Sequence, residues 1–176
     1  MDMMKQRVAI ISLSSLLVFG ILLGGQILYQ RNWQDAGLMQ QSEKIPGVVS
    51  VRTVNLNSGQ QELDVVTKNV ANLRQTALQL EQVAGNRPIR LLDQRSPQLE
   101  NLLDQMEFAL QEGIARGNFT AMAATAQGEA AKAGAKLDLA MDSDNIYLTL
   151  DQGNAQLVEV LERHGQGHFL PGEKAN

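Results

Sequence analysis

Cysteine is missing from all 176 residues, which removes disulfide scaffolds, thiolate catalysis, cysteine-based zinc sites and cysteine acylation together. Aromatic residues amount to only 4%. The core must therefore be built from Leu, Val, Ile, Met and Ala, with few rings to brace a deep ligand pocket. A basic stripe is also lacking. The chain carries a formal charge of −4, and beyond residue 29 it holds 13 basic against 18 acidic groups. Nucleic-acid binding needs clustered cations that release counterions from phosphate. Arg87, Arg90 and Arg95 come nearest, but Asp93 interrupts them and no aromatics are interleaved. No nucleic-acid partner is expected.

No charge interrupts the stretch from Val8 to Tyr29, VAIISLSSLLVFGILLGGQILY. As a helix it reaches ~33 Å, enough to cross the hydrocarbon core of a bilayer. Lys5 and Arg7 precede it and Arg31 follows, while Tyr29 and Trp33 stand where interfacial aromatics collect. These five residues are the expected interfacial anchors. The charge bias places the N-terminus in the cytoplasm and the remainder outside, in the cell envelope. A cleaved signal peptide is the rival, but Leu22 and Leu23 stand where a small residue should specify cleavage. The reading is a single-pass signal-anchor in the cell membrane, with the lipid bilayer as a partner. Gly20 and Gly24 form a Gly-x-x-x-Gly pair that lets a second helix approach closely. They are the candidate residues for a homodimer through the membrane, although glycine is simply common in such helices.

The sequence divides into a cytoplasmic N-terminus (1–7), the transmembrane helix (8–29), a juxtamembrane linker (30–47), an extracytoplasmic domain (48–163) and a flexible tail (164–176). The linker is polar and ends at the turn signal Pro46-Gly47. Val48 to Leu56 and Glu62 to Thr67 alternate as two strands of a hairpin around Asn57-Ser58-Gly59. Asn69 or Asn72 opens a helix whose stripe is Leu73, Ala77, Leu80 and Ala84, closed by Gly85. Pro88 to Asp93 reads as a short strand. Ser96-Pro97 then caps a long helix striped by Leu99, Leu103, Met106 and Leu110, and Asn118 opens an Ala-rich helix that closes at Gly134. These two helices are expected as an antiparallel hairpin.

Leu137, Leu139 and Met141, then Ile146, Leu148 and Leu150, alternate with polar residues around Ser143-Asp144-Asn145. Residues 156–162 fit strand or helix spacing, and Val158 and Val160 on alternate positions favour a strand that completes a C-terminal β-meander. The expected fold class is α+β: one N-terminal transmembrane helix, then a small mixed domain of about five or six strands and three helices.

Candidate chemistry is sparse. His164 and His168 are the only histidines, four apart, a spacing that aligns metal ligands on a helix, but Gly165 and Gly167 oppose that helix. Asp142, Asp144 and Asn145 resemble the opening of a calcium loop, yet Tyr147 and Gly153 occupy the positions that need Gly and a bidentate acid. Glu62, Asp64, Asp93, Asp138, Asp142 and Asp151 read as solvent-facing strand and turn residues. No Gly-x-Ser-x-Gly elbow or Gly-rich phosphate loop is present. Asn118-Phe119-Thr120 matches a glycosylation acceptor, and Asn118 is read as a helix cap. No catalytic residue, metal or cofactor is expected. The expected function is a non-enzymatic interaction or assembly protein with an envelope protein partner. The alternative is an anchored binding or sensor module for a small ligand or cell-wall component.

Overall fold

The computed structural model describes residues 37, 40–56, 59–165 and 167–175. The expected transmembrane helix, the Gly20 and Gly24 pair and the anchors Lys5, Arg7, Tyr29, Arg31 and Trp33 lie outside these residues. Among the described residues no helix is long and apolar enough to cross a membrane. The chain divides into two units, Met1–Gly37 and Leu38–Asn176, and the second carries every element named below.

It is a mixed α+β domain with seven strands in two sheets. In chain order the elements are β1 (Val48–Asn55), β2 (Gln61–Thr67), α1 (Leu73–Ala84), β3 (Ile89–Asp93), α2 (Pro97–Arg116), α3 (Phe119–Lys132), β4 (Lys136–Met141), β5 (Asn145–Gln152), β6 (Ala155–Glu162) and β7 (Phe169–Lys174). The chain is packed before β1 begins: Ile45 belongs to the core, and the Thr76 hydroxyl donates to the Pro46 carbonyl at 2.9 Å. The last residues of the expected linker are thus folded.

The first sheet is mixed, in the order β1-β2-β3-β7. β1 and β2 are antiparallel, while β2-β3 and β3-β7 are parallel. A parallel pair needs a crossover, and α1 supplies it between β2 and β3. Asn72 caps α1 by accepting from the Gln75 amide at 3.0 Å. Gly85, at φ +63°, ends it by donating to the Glu81 carbonyl. Leu73, Ala77, Leu80 and Ala84 are buried with Leu63, Val65, Ile89 and Leu91 on one face of this sheet.

The second sheet is an antiparallel meander, β4-β5-β6. Tyr147, Val158 and Val160 on one of its faces join α1 and the mixed sheet in the first core. Ile146, Leu148, Leu150 and Leu157 on the other face form a second core with Leu99, Leu102, Met106 and Leu110 of α2 and Met122, Ala126 and Ala130 of α3. Because both faces are covered, residues Asn145 to Leu150 of β5 are buried without a break. Such a strand loses the alternation of a half-exposed one.

The flexible tail expected over residues 164–176 is overturned in its second half. β7 runs parallel to β3, pairing Ile89 with Phe169 and Asp93 with Lys174, with a register shift between Arg90 and Leu92. Phe169 enters the first core. Pro171 lacks an amide to donate, which a strand at the end of a sheet tolerates. Among the described residues the strand count is therefore seven, above the five or six expected.

Candidate functional site

Two open surfaces and one buried junction collect the polar chemistry. The first surface is a cleft of about 370 Å³ between α1, the β4–β5 turn and the segment after β6. The sequence Asp142-Ser143-Asp144-Asn145 builds its wall. Asp142 Oδ1 accepts from the amides of Asp144 and Asn145, both at 2.9 Å, and Asp142 Oδ2 accepts from the Tyr147 hydroxyl at 2.7 Å. This is a side-chain-closed turn of the kind Asp favours. The Arg163 guanidinium fastens it further, donating to the carbonyls of Asp142 at 2.7 Å and Ser143 at 2.9 Å while lying over the Phe119 ring.

The cleft's electrostatics follow from burial. Desolvation pushes the Tyr147 phenol up, and its hydrogen bond to Asp142 adds to the effect, so it stays a proton donor committed to that carboxylate. Desolvation would raise Asp142 too, but the Tyr147 hydroxyl, the Asn145 and Asp144 amides and nearby Arg74 together hold it below the ordinary aspartate value. Partial burial pushes Glu81 up; His168 opposes this, while Asp142 and Asp144 reinforce it. His164 and His168 both line the cleft. Among the described residues no group of three or more His, Asp or Glu side chains is arranged to hold a metal ion. The cleft thus offers carboxylates and imidazoles as a hydrogen-bonding wall beside the apolar edge of Leu78.

The second surface is the face of the mixed sheet turned away from α1. Ser50, Arg52 and Val54 of β1, Glu62, Asp64 and Val66 of β2, Arg90 and Leu92 of β3 and Glu173 of β7 line a groove of about 470 Å³ there. Its charges interlock across strands. Arg52 pairs with Asp64 at 2.6 Å, and Arg90 pairs with Glu62 at 2.6 Å and also with Glu173. Val54, Val66 and Leu92 belong to neither hydrophobic core. The Arg side chains lie over the β2 carboxylates, which explains why Glu62 and Asp64 are buried rather than facing solvent as their alternation suggests.

The junction joins the two sheets. Arg95 donates to Asp93 Oδ1 at 2.8 Å and Oδ2 at 2.9 Å, and lies 3.4 Å from Glu159 Oε2. Asp93 Oδ2 accepts from the Val158 amide at 2.8 Å, and Glu159 Oε1 accepts from the Gly172 amide at 3.0 Å. Side-chain carboxylates therefore link β6 to β3 and to β7. All three side chains are buried. Burial pushes the Glu159 carboxyl up, opposed by the Gly172 amide and Arg95. An added Cβ at Gly172 would lie 2.4 Å from the Arg95 guanidinium, so a substitution there would displace Arg95 from this junction.

Of the carboxylates read as solvent-facing, Glu62, Asp64 and Asp93 are buried, Asp142 and Asp151 are half-buried, and only Asp138 is exposed. The buried ones were legible only through their arginine partners, which lie 2 to 28 residues away. Glu81, Tyr147, Glu159 and Gly172 gave no signal in the sequence. Comparison with protein-family models, with curated proteins and with solved structures finds no match to this chain.

Proposed function

We propose that this chain is a membrane-anchored interaction or assembly protein of the cell envelope. The helix read over residues 8–29 tethers the domain outside the cytoplasmic membrane, where it meets a protein partner without carrying out catalysis. One observation supports this most: among the described residues the mixed sheet is packed on one face only, and its open face adjoins the end strand β1. An end strand invites strand pairing unless charge, proline or distortion defends it. β7, at the opposite end, has Pro171; the meander's end strand β4 has Lys136 and Asp138 exposed. β1 has a register shift between Val48 and Ser50 at its start, but the run from Val51 to Asn55 is regular and has one charge, Arg52, already bound to Asp64, while Val49 at the shift is exposed. The tether adds effective concentration, so even a modest patch can serve.

A second reading, a module for a small ligand or cell-wall component, draws on the cleft beside Tyr147. Ligand pockets are usually enclosed and largely apolar, and the polar lining of that cleft makes this the weaker reading.

Crosslinking in the native membrane, followed by identification of the captured species, tests the proposal. A protein captured by the chain and lost on Val49→Lys is the expected result. Release of the chain from vesicles by salt alone overturns the tether, and capture unaffected by Val49→Lys and by every open-face substitution overturns the assigned surface.

A further inference from the structure

We propose that the cleft beside Tyr147 is a binding site for a small aliphatic amine, its ammonium group held by Glu81, Asp144, Glu162 and Asn145 and its carbon chain laid along Leu78. This ligand is additional to the partner surface above, which none of the cleft residues lines.

Several elements bring the acceptors together. Leu78 and Glu81 stand three apart on α1 and so share a helical face. The β4–β5 turn brings Asp144 and Asn145, and the end of β6 brings Glu162. The segment after β6 passes close over Glu162 at Gly167, where an added Cβ would collide with the Glu162 carboxylate. The lining holds four carboxylates, those of Glu81, Asp142, Asp144 and Glu162, and neither Lys nor Arg. Arg74 approaches Asp142 at 3.8 Å. Among the described residues no Lys or Arg forms an ion pair with Glu81 or Glu162. A recess lined by one sign of charge concentrates the opposite sign.

A neutral group points to the same class of ligand. Asn145 lines the cleft and is 7% exposed. Its Nδ2 donates to the Tyr147 hydroxyl at 3.5 Å, while its Oδ1 accepts from no group among the described residues. A nearly buried carbonyl oxygen without a donor calls for one from outside. An ammonium group brings three hydrogens and no lone pair, so it suits a wall made of acceptors. A metal ion fits less well, because no group of three or more His, Asp or Glu side chains among the described residues is arranged to hold one. Leu78, 40% exposed, offers methylenes an apolar edge. Burial pushes the Glu81 carboxyl up, with Asp142 and Asp144 adding to the effect, and an ammonium beside it restores the ionised form. The polar lining that disfavours an apolar ligand thus suits a charged one.

Calorimetric titration of the full chain in non-ionic detergent with 1,5-diaminopentane tests the site. Saturable binding of one diamine per chain is expected, with little or none for the neutral analogue 1,5-pentanediol. Glu81→Gln should weaken it roughly tenfold, the scale of one hydrogen bond to a charged group. Asp144→Asn, at an exposed position, repeats the test should Glu81→Gln fail to fold, and circular dichroism checks each variant. Glu107→Gln, exposed on α2, should leave binding unchanged, as should Val49→Lys on β1.

No saturable heat from the folded chain, equal affinity for 1,5-pentanediol, or equal weakening by Glu107→Gln each overturn the proposal. Displacement by an equal concentration of magnesium overturns it too, because the lining would then collect any cation. Native-membrane crosslinking is read independently of amine binding, so the interaction reading stands or falls separately.

Discussion

The mixed sheet and the meander are built with similar residues but end in different environments. The meander is packed on both faces, α1 on one and the α2–α3 hairpin on the other. The mixed sheet is packed on one face and presents a ladder of ion pairs on the other. The mixed sheet also carries two arginine–aspartate pairs in contrasting settings, Arg95 with Asp93 at its junction with the meander and Arg52 with Asp64 on its open face. The first pair is sealed from water and serves architecture. The second can be opened by solvent or by a partner, and it is there that an interaction surface can exist.

Arg95→Ala sharpens this contrast most. It leaves the carboxylates of Asp93 and Glu159 together where water does not reach, and breaking a buried pair in this way costs about 3–5 kcal/mol. Urea unfolding monitored by circular dichroism should show the midpoint displaced accordingly. A loss no greater than that of an exposed pair would remove the distinction between the junction and the open face.

A comparison within the hairpin that covers the meander comes next in size. Gly113 of α2 faces Met122 of α3, and an added Cβ would lie 2.6–2.7 Å from the Met122 side chain. Gly113→Ala should therefore cost about 1–3 kcal/mol by overpacking, moderated by the flexible thioether. Gly128, also helical, has nothing within 4 Å of an added Cβ. Gly128→Ala should stabilise by up to about 1 kcal/mol through helix propensity. Opposite signs for the two substitutions in thermal unfolding would confirm that α2 and α3 meet along the Gly113 side.

Tyr147→Phe probes the cleft wall and should cost about 0.5–1.5 kcal/mol, the net worth of a hydrogen bond to a half-buried carboxylate. The pH dependence carries a sign. Asp142 has its folded value depressed, so the stability it contributes is present above the unfolded aspartate value and is lost as pH falls through the folded one. Glu159 has its folded value raised, so it costs stability once pH rises through the unfolded glutamate value, a cost relieved on acidification. Tyr147→Phe removes part of the Asp142 depression. It should make the acid limb of the stability curve shallower while leaving the contribution of Glu159 unchanged.

Local signals carried most of the element pattern. Asn72, Ser96 and Asn118 cap α1, α2 and α3 by side-chain bonds, to the amides of Gln75, Leu99 and Ala121. The stripe of α1 faces the core as its spacing predicts, and that of α2 does so at Leu99, Met106 and Leu110, while Leu102 rather than Leu103 is the fully buried residue between them. What local reading could not supply is partnership at long range. β7 looked like a tail because Pro171, Gly172 and polar neighbours mask the contribution of Phe169, whose burial depends on β3 some 80 residues earlier. Glu62 and Asp64 looked solvated because alternation places them opposite Leu63 and Val65, whereas Asp93 shares the face of Ile89 and Leu91 and looked solvated only as an acid at the end of a short strand. Neither signal reveals that Arg90, Arg52 and Arg95 close over them. Gly172 reads as a turn residue and is instead the space into which Arg95 extends.

Arg52→Ala is the smallest expected effect on stability and completes the pair with Arg95→Ala. The Arg52 side chain is largely exposed, so its bond to Asp64 is screened and worth about 0–1 kcal/mol. Removing it also uncovers Asp64 to water, which solvates the carboxylate that the guanidinium had covered. The unfolding midpoint should therefore barely move, while association through the open face weakens. A large loss of stability from Arg52→Ala would mean that the ladder holds the mixed sheet together, and the face would then be structural rather than free to receive a partner.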